Sequence, residues 1–261
     1  MPPKEPNVLT ESDLERALAA AGVSAPVRFD EVTGSTNDTA LELAAGGAPE
    51  WTLVSAGHQT SGRGRLGRAW SDAPGRALLF SFVVRPSLIG LERAGLLPLL
   101  AGLCMAEGAR EVAALEVGCK WPNDLLLEDR KVGGILVESR FGAEAGVGVY
   151  AAIGVGVNLD PPEGVAEAGG LGDVDAAALL TAFLCAFRPR YEGDPATLGR
   201  RVVDEYGPRC VTIGRDVEAT RTDGRRVRGR AVEILEDGSL AVDTAEGRAL
   251  VAFGEIAHLD R

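Results

Sequence analysis

Residues 62–70, GRGRLGRAW, alternate Gly62, Gly64 and Gly67 with Arg63, Arg65 and Arg68 and close on Trp70. Glycine costs a helix about 1 kcal/mol relative to alanine and weakens a strand interior, so the composition predicts a loop. Glycine lets backbone N–H groups approach an anion closely, and guanidinium forks bind phosphate oxygens in bidentate pairs. No acidic residue occurs from Trp51 to Ser71, although the chain as a whole carries a formal net charge of −11. The whole-molecule field repels nucleic acid and anionic membrane, so a locally basic loop points to a small anionic ligand. A GxxxxGK[ST] phosphate loop is absent from the sequence.

Three further segments carry reactive residue types. KWPND places Lys120, Asn123 and Asp124 around a Trp-Pro turn, and RKVGG places Lys131 at the mouth of the next strand ahead of Gly133 and Gly134. Glycine within an apolar strand marks a close approach by ligand or backbone. GSTN brings Ser35, Thr36 and Asn37 to a helix start, where unpaired N–H groups also point outward. Cys104, Cys119, Cys185 and Cys210 are widely spaced with no CxxC pair, which reads as reduced thiols in a cytoplasmic protein. His58 and His258 are too few for a zinc site. The N-terminus shows no apolar signal region, and no uninterrupted membrane-length apolar run follows, so a soluble protein without a membrane partner is expected.

Periodicity and punctuation predict the elements that must position these residues. Residues 12–22 read as a helix with a Ser12/Glu15 capping box and Gly22 as its stop. A second helix begins at Ser35 as N-cap, with Asp38 three residues on, and ends at Gly46-Gly47. WTLVSA and ALLFSFVV read as strands flanking the basic loop, and residues 91–114 as mostly helical, with Pro98 near a start or a kink. EVGCKW, DLLL, VGGILVES and VYAAIGVGVNL are nearly continuously apolar, as central strands covered by helices are. Residues 175–206 are helical again, and short strands from about residue 209 form a small β-barrel. The expected division is a catalytic domain at 1–208 and a small barrel domain at 209–261.

Taken together, GRGRLGRAW, KWPND, the strand-opening Lys131 followed by small residues, and the upstream STN resemble the biotin protein ligases, in that family's order and approximate spacing. The resemblance covers roughly residues 30–160 by motif and extends through the C-terminal barrel by architecture. It implies an α+β fold: a mixed β-sheet catalytic domain of the biotin/lipoate ligase type with flanking helices, plus a small SH3-like β-barrel. It also implies an activity. Biotin and ATP, with Mg, form biotinyl-5′-AMP and pyrophosphate, and the biotinyl group passes to a lysine of a biotin carboxyl carrier domain. Members that double as repressors carry a winged-helix domain before STN. Only 34 residues precede Ser35 here, so the expectation is a ligase without a DNA-binding role.

Residue roles follow from the same resemblance. Lys131 and Arg65 match the catalytic cations. Ser35, Thr36, Asn37, Gln59, Arg63, Gly64, Arg65, Lys131 and Gly134 match the biotin-binding set. Arg65, Arg68, Trp70, Asn123, Asp124, Lys131 and Asn158 match the ATP and adenylate set. Ser35 can cap its helix and contact ligand at once, and Trp70 either packs near adenine or anchors the loop. Asp124 is either an Mg ligand or a turn residue bonded to backbone. Two other readings compete: a lipoate or octanoate ligase or transferase of the same fold, and an RNA-binding module using the loop and the Arg-rich stretch 221–230. Acidic balance and an aromatic content of 5% oppose the second.

Overall fold

A computed structural model of the chain describes residues 9–85, 94–141, 149–221, 224–252 and 254–259. Helix α1 (Glu11–Ala20) starts one residue before the sequence predicts. Its capping box is Thr10/Asp13: Thr10 Oγ1 accepts from the Asp13 N–H, and the Asp13 carboxylate accepts from the Thr10 N–H at 2.8 Å. Ser12 is inside the helix, where its hydroxyl oxygen accepts from Arg16, so the expected Ser12/Glu15 box is displaced by the pair that lies nearer the chain's turn into the helix. Helix α2 (Thr36–Ala45) follows Ser35, whose backbone is extended but whose side chain makes no capping bond.

The central sheet has seven strands: β1 (Val27–Asp30), β2 (Leu53–Ala56), β3 (Ala77–Val84), β4 (Gly118–Lys120), β5 (Asp124–Leu127), β6 (Arg130–Phe141) and β7 (Val149–Asn158). Their order is β1-β2-β3-β7-β6-β5-β4. Only β1 and β2 pair in parallel; the remaining pairs are antiparallel, so the sheet is mixed as expected. Every residue of β3 is buried, because helices cover both faces. On one face Leu78, Phe80, Phe82 and Val84 join the main core, where Phe80 and Phe82 pack edge-on against Phe183. That core is closed by α1, α3 (Leu96–Ala113), α4 (Ala176–Tyr191) and α5 (Pro195–Tyr206). Pro98 falls in the first turn of α3, where its missing N–H is not needed, so it marks a start and not a kink. On the other face, Val83 packs under Ala40, Leu41 and Ala44 of α2. Ser81, the one hydroxyl in the ALLFSFVV run, points to that same side, beneath the start of α2.

The C-terminal sheet is antiparallel, with β8 (Asp216–Arg221), β9 (Arg226–Ile234), β10 (Leu240–Thr244), β11 (Gly247–Val251) and β12 (Gly254–His258) in the order β11-β10-β9-β8-β12. Among the described residues β11 and β12 do not pair, so the SH3-like unit is a curved open sheet and not a fully hydrogen-bonded barrel. It docks on the KWPND turn. The Trp121 N–H donates to Thr212 Oγ1 at 3.1 Å, and the buried Trp121 indole donates to the Gly238 carbonyl oxygen at 2.9 Å. The backbones at Cys119 and Cys210 run in parallel beside it, with the Val211 N–H donating to the Cys119 carbonyl oxygen at 3.0 Å, and both thiols are free. No helix among the described residues is long and apolar enough to cross a membrane.

Candidate active site

A cavity opens where the start of α2, the basic loop, the KWPND turn, strands β6 and β7 and the first residues of β12 converge. Its floor is glycine. Gly134 of β6 pairs with Gly156 of β7, and Leu136 of β6 pairs with Gly154. A Cβ on Gly156 would lie 2.8 Å from the Trp70 indole, and one on Gly134 would lie 3.5 Å from it. The absence of side chains there lets the indole lie on the sheet itself. Lys131 Nζ sits 5.9 Å from the centre of that ring and 2.6 Å from Asp124 Oδ1.

One end of the cavity is neutral and rich in hydrogen-bonding groups. The Thr36 N–H and hydroxyl both donate to Gln59 Oε1, at 2.8 and 3.1 Å. The Thr36 hydroxyl has then spent its proton, so toward Ser81 Oγ, 2.7 Å away, it can only accept. Ser81 Oγ is also 2.8 Å from Asn37 Oδ1, another acceptor. One serine proton faces two acceptors, which leaves acceptor capacity for a ligand N–H. The Asn37 amide donates to the Leu136 carbonyl oxygen at 3.2 Å and to Glu138 at 2.9 Å.

The other end is cationic. The loop folds as a narrow turn: Arg63 bridges Ala69, the Gly64 N–H donates to the Arg68 carbonyl at 2.7 Å, and one 3₁₀ turn spans Arg65–Gly67. Leu66 takes φ 53° and Gly67 φ 76° at its tip. A Cβ on Gly62 would meet the Trp70 carbonyl oxygen at 2.8 Å, so closing this turn requires glycine there. Arg63 pairs with Asp38 and with Glu138, which raises its pKa, chiefly through the Asp38 bond. Arg65 donates to Asn123 Oδ1 at 3.4 Å and to the Gly254 carbonyl at 3.1 Å, and burial lowers its pKa. Arg68 pairs with Glu255. Burial also lowers the pKa of Lys120, against the pull of Asp124. Cations therefore outnumber the carboxylates Asp124 and Glu255 along the described lining.

The structure brings Ser35, Thr36, Asn37, Gln59, Arg63, Gly64, Arg65, Arg68, Trp70, Asn123, Asp124, Lys131 and Gly134 to this one cavity. It does not bring Asn158 there. Asn158 ends β7 at 2% exposure, and its backbone carbonyl accepts from the Leu171 N–H. Among the lining residues to which sequence reasoning gave no ligand role are Lys120, Gly154, Gly156, Glu255 and Ile256. The glycines had a signal, their alternation inside the apolar run AAIGVGVNL. Glu255 and Ile256 had none, because they arrive from the far end of the chain.

The model of the Biotin/lipoate A/B protein ligase family matches residues 29–158, and that of the Biotin protein ligase C terminal domain matches residues 212–259. The chain is 32% identical over 258 residues to the bifunctional ligase/repressor BirA of Bacillus subtilis (strain 168), spanning 94% of this chain and 77% of that one. It is 32% identical over 272 residues to the biotin--[acetyl-CoA-carboxylase] ligase of Mycobacterium tuberculosis (strain ATCC 25618 / H37Rv), spanning 96% of each. Among solved structures, a biotin protein ligase from Aquifex aeolicus in complex with biotin and ATP is similar at a TM-score of 0.70, covering 89% of this chain and 97% of that one. Its identity is 23%, so this last likeness is one of fold.

Proposed function

The chain belongs to the biotin protein ligase family, and we propose that its cavity activates biotin with ATP and passes the biotinyl group to a lysine of a biotin carboxyl carrier domain. One observation carries the reading. A neutral hydrogen-bonding end and a cationic end are joined by a glycine floor under Trp70, with Lys131 above the join. Biotin has that polarity: a ureido group, an apolar fused ring and a carboxylate at the end of a chain.

In this reading the ureido group bonds to Ser35, Thr36 and Gln59, and the rings pack beside the Trp70 indole that lies on Gly134 and Gly156. The carboxylate then reaches Lys131 and the loop. Two anions must meet, and fixed cations supply the field that permits it. A biotin carboxylate oxygen attacks the α-phosphorus of ATP, the bond to the β-phosphate bridging oxygen breaks, and pyrophosphate leaves with its electron pair. Lys131, Arg65 and Arg68 bear on the charge that grows on the phosphate oxygens. In the second step the acceptor amine attacks the acyl carbonyl, AMP leaves, and the amine loses its proton.

Magnesium fits this cavity as a companion of the triphosphate and not as a resident ion. Among the described residues no cluster of three or more His, Cys, Asp or Glu could hold it alone, and Asp124, in the lining beside Lys131, would be the residue to share it. When bound, the ion would neutralise charge on the leaving pyrophosphate. The unpaired state of Cys104, Cys119, Cys185 and Cys210 supports a cytoplasmic setting.

Mass spectrometry after incubating the protein with biotin, ATP and magnesium tests the reading, with lipoate as competitor. The expected product is biotinyl-5′-AMP, consumed when a carrier domain is added. Formation of lipoyl-AMP in preference to it would move the chain to the lipoate branch.

A further inference from the structure

Glu138 is not among the residues lining the cavity, yet it touches both of its halves. On β6, Gly134, Leu136 and Glu138 alternate onto one face of the sheet, and Glu138 is the next step outward from the floor. A single oxygen, Oε2, accepts from the Asn37 amide at 2.9 Å and from Arg63 Nη2 at 2.9 Å. Arg63 belongs to the basic loop and Asn37 to the first turn of α2. The Asn37 side chain has few alternatives. It is 3% exposed, its second acceptor, the Leu136 carbonyl, is at 3.2 Å, and it already presses so closely on β7 that a Cβ on Gly154 would overlap its amide oxygen.

We propose that Glu138 is a positioning residue that couples the basic loop to the ligand-facing start of α2, through one carboxylate oxygen shared by Arg63 and Asn37. Closing the loop carries Arg63 onto Glu138 and fixes the acceptor that orients Asn37. An oriented Asn37 in turn holds the carboxylate where Arg63 needs it. Asp38 also grips Arg63, but none of its described bonds goes to Asn37, so it holds the loop without this coupling. The inference rests on the reading that biotin binds at the Asn37 end.

The two variants E138Q and E138A separate the halves of the role, with D38N as comparison. Glutamine still offers Asn37 a carbonyl oxygen but brings no charge to Arg63; alanine offers neither. Two readouts are used: trypsin cleavage after Arg65 and Arg68 in the ligand-free protein, followed by fragment mass, and biotin affinity by calorimetry without ATP. E138Q and D38N should both speed cleavage by about tenfold, the scale of one charge-assisted hydrogen bond. E138A should do the same and also weaken biotin binding by about tenfold, while E138Q restores most of that affinity. Should E138A not fold, E138D, which withdraws the carboxylate by one methylene, takes its place in the affinity readout. Loss of affinity and of thermal stability together, without the split between Gln and Ala, overturns the proposal, as does an unchanged cleavage rate in E138Q. Failure of the wild-type protein to bind biotin would strike the functional reading instead, and the ligand-free cleavage would still report on the hold that Glu138 has on the loop.

Discussion

Arg65 Nη1 donates a hydrogen bond to the carbonyl oxygen of Gly254, 189 residues further along the chain, at 3.1 Å. Three residues on in the loop, Arg68 pairs with the next residue of β12, Glu255. The cationic end of the cavity is thus shaped by the C-terminal sheet, which is itself pinned to the KWPND turn by the Trp121 indole. In this arrangement Arg65 and Arg68 of the basic loop reach across to the C-terminal sheet, which forms one wall of the cationic end.

Arg65→Gly should weaken retention of the adenylate more than its formation. The variant loses the tie to Gly254 and to Asn123 together with a half-buried cation, while Lys131 remains. The escaped mixed anhydride would acylate lysines at random. Incubation with an unrelated protein, biotin and ATP reads this out directly. Labelling that stays confined to a carrier lysine rules out a retaining role for Arg65.

Lys131→Ala should lower adenylate formation by about 100- to 1000-fold, the usual effect of removing one preorganised group that meets developing charge. The fold should survive, since the Lys131 side chain is 41% exposed and its ion pair with Asp124 is partly open to solvent. Pyrophosphate release measures the first effect and thermal unfolding the second. Near-normal release would take Lys131 out of the mechanism.

Gly156→Ala and Gly134→Ala should differ, although the two glycines face each other across β6 and β7. The new methyl at 156 would stand 2.8 Å from the Trp70 ring, whereas at 134 the nearest atom is 3.5 Å away, an ordinary contact. Overpacking of this kind costs about 1–3 kcal/mol, so Gly156→Ala should lower Tm and displace Trp70, with a loss of biotin affinity. Equal effects of the two substitutions on Tm and Kd would mean that the indole does not rest on the floor as described.

Lys120 should set an alkaline limit on adenylate formation. Burial lowers its pKa below the 10.5 of an ordinary lysine, so as pH rises it loses its charge before an exposed lysine does. If Lys120 faces the phosphate in the proposed reaction, a cation is then lost, and kcat/KM for biotin should fall as pH rises, before 10.5 is reached. Lys120→Arg keeps the charge throughout and should carry the decline to higher pH. An alkaline limb that is identical in both proteins removes Lys120 as its source.

Much of the chemistry was legible before the fold. Glycine alternating with arginine cannot hold a helix or a central strand, and a basic loop in an acidic chain calls for anionic partners, of which the structure shows the carboxylates of Asp38, Glu138 and Glu255. The central strands were legible because burial on both faces leaves continuous apolar runs, and the C-terminal strands because turn dipeptides punctuate them. These are local properties, determined by side-chain type and near neighbours. Helix α1 shows the limit even of local reading: Thr10/Asp13 and Ser12/Glu15 both satisfy the capping pattern, and the structure forms the first.

The tertiary structure alone decided which residues share a site. Ser81 is one hydroxyl in a buried strand until its neighbours show that it lies under Thr36 and Asn37. Glu138 looks like a surface carboxylate near the end of a strand until β6 brings it between Arg63 and Asn37. Asn158, expected at the nucleotide, ends its strand outside the described cavity lining, while Glu255 reaches that lining from the last strand of the chain. Sequence spacing carries no record of such meetings. They depend on strand order, on register and on how one sheet docks against another, each of which is set by the sum of many weak contacts over the whole molecule.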